Sequence, residues 1–73
     1  MSDYHINIFY SEEDSCYVAD IPDLEYCSAF GATPEDALAE VKRAKEAWIA
    51  VARQSGKAIP EPQYRPAISQ ASG

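Results

Sequence analysis

The sequence predicts a small α+β domain, a three-stranded antiparallel meander followed by one long helix and a short edge strand. Three observations carry this: a period of two over residues 4–10, two further β-rich runs separated by turn residues, and an amphipathic segment over residues 34–55 with capping residues at both ends. Length limits what such a domain can bury. A chain of 73 residues hides only roughly 60% of the surface its unfolded form exposes, so a thin core is expected. No apolar run approaches the ~18 residues that a membrane span needs, and Met1-Ser2-Asp3-Tyr4-His5 lacks the basic patch and hydrophobic run of a secretory leader. The expected location is therefore cytoplasmic, in a single domain over residues 1–68 with a disordered tail over 69–73.

The first strand is read from alternation: Tyr4, Ile6, Ile8 and Tyr10 share one side, and His5, Asn7 and Phe9 the other. The polar cluster over residues 11–15 makes a five-residue hairpin loop into a second strand over residues 16–21, which Pro22 ends because it has no ladder donor. Asp23, Leu24 and Glu25 turn the chain into a third strand over residues 26–30, stopped by Gly31.

The helix start is written in residue types. Thr33 suits the N-cap, Pro34 the first helical position, and Glu35 and Asp36 the positive end of the dipole. Ala37, Leu38, Val41, Ala44, Trp48, Ile49 and Ala52 fall at helical spacing on one face, and Gly56 with Lys57 is placed to end the element after about six turns. The three prolines that follow, Pro60, Pro62 and Pro66, restrict any later strand, placed at residues 64–68, to a short edge. One helix covers one side of such a sheet. The other side also carries apolar residues, so self-association is expected, most simply as a two-fold dimer.

Charge is distributed unevenly. The first 31 residues hold seven acids, namely Asp3, Glu12, Glu13, Asp14, Asp20, Asp23 and Glu25, and no Lys or Arg, whereas residues 32–73 nearly balance. A one-signed field on half of a small domain repels phosphate backbones and attracts cationic partners, so direct nucleic-acid binding by that half is not expected.

The chemistry-bearing residues are sparse. Cys16 and Cys27 lack CxxC spacing and read as core thiols in a reducing compartment. His5, the single histidine, could meet Cys16 across paired strands, but a Cys-His nucleophile needs a third, orienting group that nothing supplies. Asp20, Asp23 and Glu25 could present carboxylates to a hard cation, although a solvated turn around Pro22 explains them as well. There is no Gly-rich phosphate loop, nucleophile elbow or zinc spacing, and Trp48 lies on the apolar stripe of the helix. No catalytic residue, metal or cofactor is assigned.

The order of a β-hairpin, Ile21-Pro-Asp-Leu24, Cys27, Gly31-Ala-Thr33, Glu35-Asp-Ala37 and, after the helix, Ile59-Pro-Glu-Pro62 resembles the HicB family of antitoxins and its stand-alone relatives. The likeness runs over about residues 4–62. It implies a β-β-β-α-β domain related to a degraded ribonuclease H-like fold, oligomeric and non-catalytic, that in paired systems neutralises HicA, a small basic ribonuclease that cuts messenger RNA. Two departures are local: the family often has Gly-Gly where this chain has Asp14-Ser15-Cys16, and Pro-Gly where it has Glu25-Tyr26. A third is that many members carry a C-terminal DNA-binding domain that is not seen in this sequence.

The leading expectation is a bacterial antitoxin module whose Asp20, Asp23 and Glu25 meet a basic HicA-type toxin by charge complementarity. The alternative is an orphan structural or regulatory homo-oligomer with no toxin, with or without a small-ligand site at the subunit interface. A small hydrolase using His5 or a carboxylate cluster ranks last, because no acid, base and nucleophile converge.

Overall fold

The computed structural model describes residues 3–63. Its elements are β1 (Asn7–Ser11), β2 (Cys16–Asp20), β3 (Ser28–Gly31) and α1 (Pro34–Ser55). The strands form one antiparallel sheet in the order β1-β2-β3, with α1 packed mainly across β3 and β2. This is an α+β domain with the expected meander and helix. The edge strand expected over residues 64–68 and the tail over 69–73 lie outside the described residues.

Register sets the two faces. Ile8, Ala19 and Ala29 are aligned across the sheet, as are Phe9, Val18 and Phe30. Ala19 is fully buried, so its row faces the helix and the phenylalanine row faces away. The first strand is shorter than the alternation predicts. Continuing the register would set residue 5 against Pro22, which has no N–H to give, and residues 4–6 run beside the core without a ladder. Tyr4 and Ile6 still pack on the core, and the Tyr4 hydroxyl donates to the Pro60 carbonyl.

The hairpin turn covers residues 12–15, one fewer than expected, because Ser11 remains in the ladder opposite Cys16. Ser11 Oγ donates to Asp14 Oδ2 at 3.0 Å, and Ser15 closes the turn in the left-handed region at φ 54°.

The third strand also starts later than predicted, at Ser28 rather than Tyr26. Between β2 and β3 the chain makes two back-to-back turns. Leu24 N–H donates to Ile21 O, Cys27 N–H to Leu24 O, and Ile21 N–H to Cys27 O, all at 3.0–3.1 Å. This repeat of three sends Ile21, Leu24 and Cys27 inward together, while the backbone satisfies its own polar groups. Tyr26, the third residue of the second turn, takes φ 62°, a value that suits glycine at that place in a turn.

Those three side chains join Ala19, Ala37 and Val41 in the core, where, among the described residues, only Ile21, Leu24 and Val41 are large and fully buried. The core is thin, as length requires.

Gly31 is needed for close approach rather than for a turn. A Cβ there would lie 2.3 Å from the Ala37 backbone nitrogen, so the first turn of α1 rests directly on the end of β3. The helix ends follow their residue types. Asp36 N–H donates to Thr33 Oγ1 at 3.1 Å, and Pro34 opens the first turn. At the other end Gly56 adopts φ 72°, with its N–H on Arg53 O and the Lys57 N–H on Ala52 O, a Schellman closure.

Candidate binding surfaces

The structure separates the groups that a nucleophilic site would need. Cys16 pairs with Ser11 at the hairpin end of the sheet, six residues up β1 from His5, or roughly 20 Å along an extended strand. The expected chance of His5 meeting Cys16 is thereby corrected: antiparallel pairing puts them at opposite ends. His5 hydrogen-bonds Asn7 Oδ1 at 2.8 Å through Nε2. Cys27 lies nearer in sequence register but faces the helix, between Ile21 and Leu24, and burial raises its thiol pKa, with Lys45 opposing weakly. A thiol held protonated is a poor nucleophile.

Asp20, Asp23 and Glu25 fall in three settings. Asp20 ends β2, half-buried, in register with Asn7 and Ser28 on the face away from the helix. Asp23 Oδ2 accepts from Gln63 N–H at 3.2 Å and so ties the turn to the segment after the helix. Glu25 is exposed, and its backbone carbonyl accepts Trp48 Nε1–H at 3.0 Å. Among the described residues no three His, Cys, Asp or Glu side chains converge into a group that could hold a metal ion. At the other end of the sheet Glu12, Glu13 and Asp14 are exposed on the hairpin. Asp3 sits apart: the Tyr4 N–H and then Lys45, 3.3 Å away, hold its carboxyl below the usual range.

Two apolar surfaces accompany the acids. On the outer face the row Phe9, Val18 and Phe30 crosses all three strands, with Phe9 51% and Phe30 56% exposed. The uncovered second side expected from the alternation is present. On the inner face the helix stops short of β1, which leaves Ile8 and Tyr10 partly exposed, with the Tyr10 ring edge-on to Tyr17 at 5.2 Å.

The second surface is a cleft of about 410 Å³ between the Tyr26 turn and the C-terminal half of α1. Tyr26, Ala44, Ala47, Trp48 and Val51 form its apolar walls, and Lys57 also lines it, with its ammonium over the Trp48 ring, 5.4 Å from the ring centre. Sequence reasoning missed Tyr26, Val51 and Lys57 as surface features. The available signal was a second stripe on the helix, Ala44, Ala47, Trp48, Val51 and Ser55 at spacings of three and four, beside the one that faces the core. Among the described residues no helix is long and apolar enough to cross a membrane. No protein-family model, curated protein or solved structure matches the chain.

Proposed function

We propose that this protein is a non-catalytic binding module of the HicB-like kind, which captures and neutralises a small basic protein, in such systems an mRNA-cleaving HicA-type toxin. The observation that carries the reading is the one-signed half of the molecule. Six of the seven acids of the first 31 residues fall on β2 and the turns that join the strands, with no Lys or Arg among them, whereas Asp3 precedes β1 and pairs with Lys45. Complementary fields of this kind speed encounter and select against wrong partners. Asp20, Asp23 and Glu25 lie toward the Pro22 end of the sheet, and Asp20 shares the outer face with the exposed phenylalanines, which supply apolar area for a partner to cover.

Among the described residues the non-glycine residues with positive φ are Ser15 and Tyr26, in the two turns where this chain departs from the glycine-containing turns of the resembled family. Tyr26 takes the place of the glycine in that family's usual Pro-Gly, and its left-handed backbone is one that glycine adopts freely. On this reading the four described elements are the β-β-β-α portion of a degraded ribonuclease H-like β-β-β-α-β domain.

The test is capture from native lysate on the tagged protein, followed by mass spectrometry of what remains after a moderate-salt wash. One small basic protein in stoichiometric amount is the expected result. Recovery of the bait alone would favour the orphan homo-oligomer, a reading that the exposed Phe9 and Phe30, on either side of the half-buried Val18, keep physically reasonable.

A further inference from the structure

We propose that the cleft beside Trp48 binds a small apolar carboxylate, an alkyl or aryl monoacid whose hydrocarbon lies against Tyr26, Trp48 and Val51 and whose carboxylate meets the Lys57 ammonium. The site lies within one chain. It needs neither a second copy nor a basic partner, and so stands apart from the proposed function.

The two sides of the cleft are joined before any ligand arrives. Trp48, on α1, donates through Nε1 to the Glu25 carbonyl at 3.0 Å, which ties the helix to the turn that carries Tyr26. That turn is closed by the Cys27 N–H on Leu24 O at 3.1 Å, with Tyr26 at φ 62° and 94% exposed. A large L-residue in the left-handed region is strained, and an exposed ring returns nothing through core packing. As a wall of the cleft the ring has a use that folding does not supply. Val51, 60% exposed, is a second large apolar side chain that lines the cleft while standing outside the core. The volume of about 410 Å³ is in the range of pre-formed small-molecule sites.

The lining names the charge of the occupant. Among the described residues Lys57 is the one charged group along the cleft, and no carboxylate lines it. Its ammonium lies over the Trp48 ring and makes no ion pair with a described residue, the paired bases being Arg43 and Lys45. An ammonium resting on a ring face keeps N–H donors for a second partner. Burial raises the pKa of the Cys27 thiol, so this lining group adds no negative charge that would oppose an anion.

The amount of charge selects further. Phosphate dianions are held by several donors or by a helix N-terminus. Here a single ammonium stands just beyond the C-terminus of α1, whose partial charge is negative. One cation in an otherwise apolar cleft matches one carboxylate on an apolar body.

Trp48 is the single tryptophan of the chain, so its fluorescence reports occupancy directly. The test titrates the full chain with octanoate and with hydrocinnamate, each against its own primary amide, and measures heats of binding in parallel. One-to-one binding with a Kd below about 1 mM is expected for at least one acid, with about tenfold or more weaker binding of its amide. The tighter acid tells an alkyl from an aryl site. Ala47→Phe, at an exposed helix position that lines the cleft, should abolish binding with the fold retained by circular dichroism. Lys57→Met should weaken binding by about tenfold, and Lys57→Arg should retain it. Absence of binding by both acids up to about 1 mM overturns the proposal. So does equal affinity for acid and amide, or binding indifferent to both Ala47→Phe and Lys57→Met.

Discussion

The two faces of one three-stranded sheet carry opposite arrangements of size and burial. The face under the helix holds Ala19 and Ala29, with Gly31 at its end, and Ala19 is wholly buried; the outer face holds Phe9, Val18 and Phe30, whose phenylalanines are more than half exposed. Where α1 comes down the inner face is small, at Ala19, Ala29 and Gly31, and so close that Gly31 has no room for a methyl group, while the same face carries the larger Ile8 and Tyr10 on β1 and Tyr17 beside Tyr10 on β2. The phenylalanines of the outer face stay exposed because nothing in the described chain covers them. Burial here follows proximity to the helix rather than hydrophobicity. The inner face thus accounts for stability, and the outer face with its acidic margin is available for recognition.

If that division is right, substitutions on the two faces should have unequal effects on stability. Leu24→Ala should cost about 3 kcal/mol, since it empties one of three large buried positions. In a domain this small that approaches the whole folding free energy, and denaturant titration should show the protein largely unfolded. Gly31→Ala should cost about 2 kcal/mol, because the added methyl meets the Ala37 backbone and the helix must lift. Its thermal midpoint should fall although a glycine has been replaced by a better-ordered residue.

Cys27 gives the same contrast through pH. Burial raises its thiol pKa in the folded state, so the folded chain holds its proton at alkaline pH after the unfolded chain has lost it. Stability should be full below the ordinary thiol pKa of about 8.5 and decline as pH rises above it. Cys27→Ala should remove that decline. The smallest effect is expected at Phe30→Ser, within about 0.5 kcal/mol of wild type, because little is lost from a residue that is already exposed.

Local rules make part of this fold legible from residue types alone. Thr33, Pro34 and Gly56 mark the helix ends because caps depend on neighbouring backbone alone, and the expected bounds coincide with Pro34–Ser55. Pro22 stops β2 for the same reason. The turn after it is not legible in this way. Tyr26 has the aromatic character of a strand residue, but the bonds among Ile21, Leu24 and Cys27 override that propensity and place it in a left-handed turn. Gly31 suggests a turn, whereas its role is contact with Ala37, a tertiary fact that composition does not carry. The acidic half can be counted from sequence. Its division between Asp20 on the sheet, Asp23 bound to Gln63 and Glu25 on the turn that Trp48 holds is a product of the fold.

The most direct test of the central claim is the affinity of the basic partner recovered from lysate for wild type and for the D20K/D23K/E25K variant, at low and moderate salt, with unfolding midpoints measured alongside. Both proteins are expected to be folded, with at least about tenfold weaker binding by the variant and a shallower salt dependence. Equal affinity of the two folded proteins would contradict the assignment of the acidic surface to partner capture.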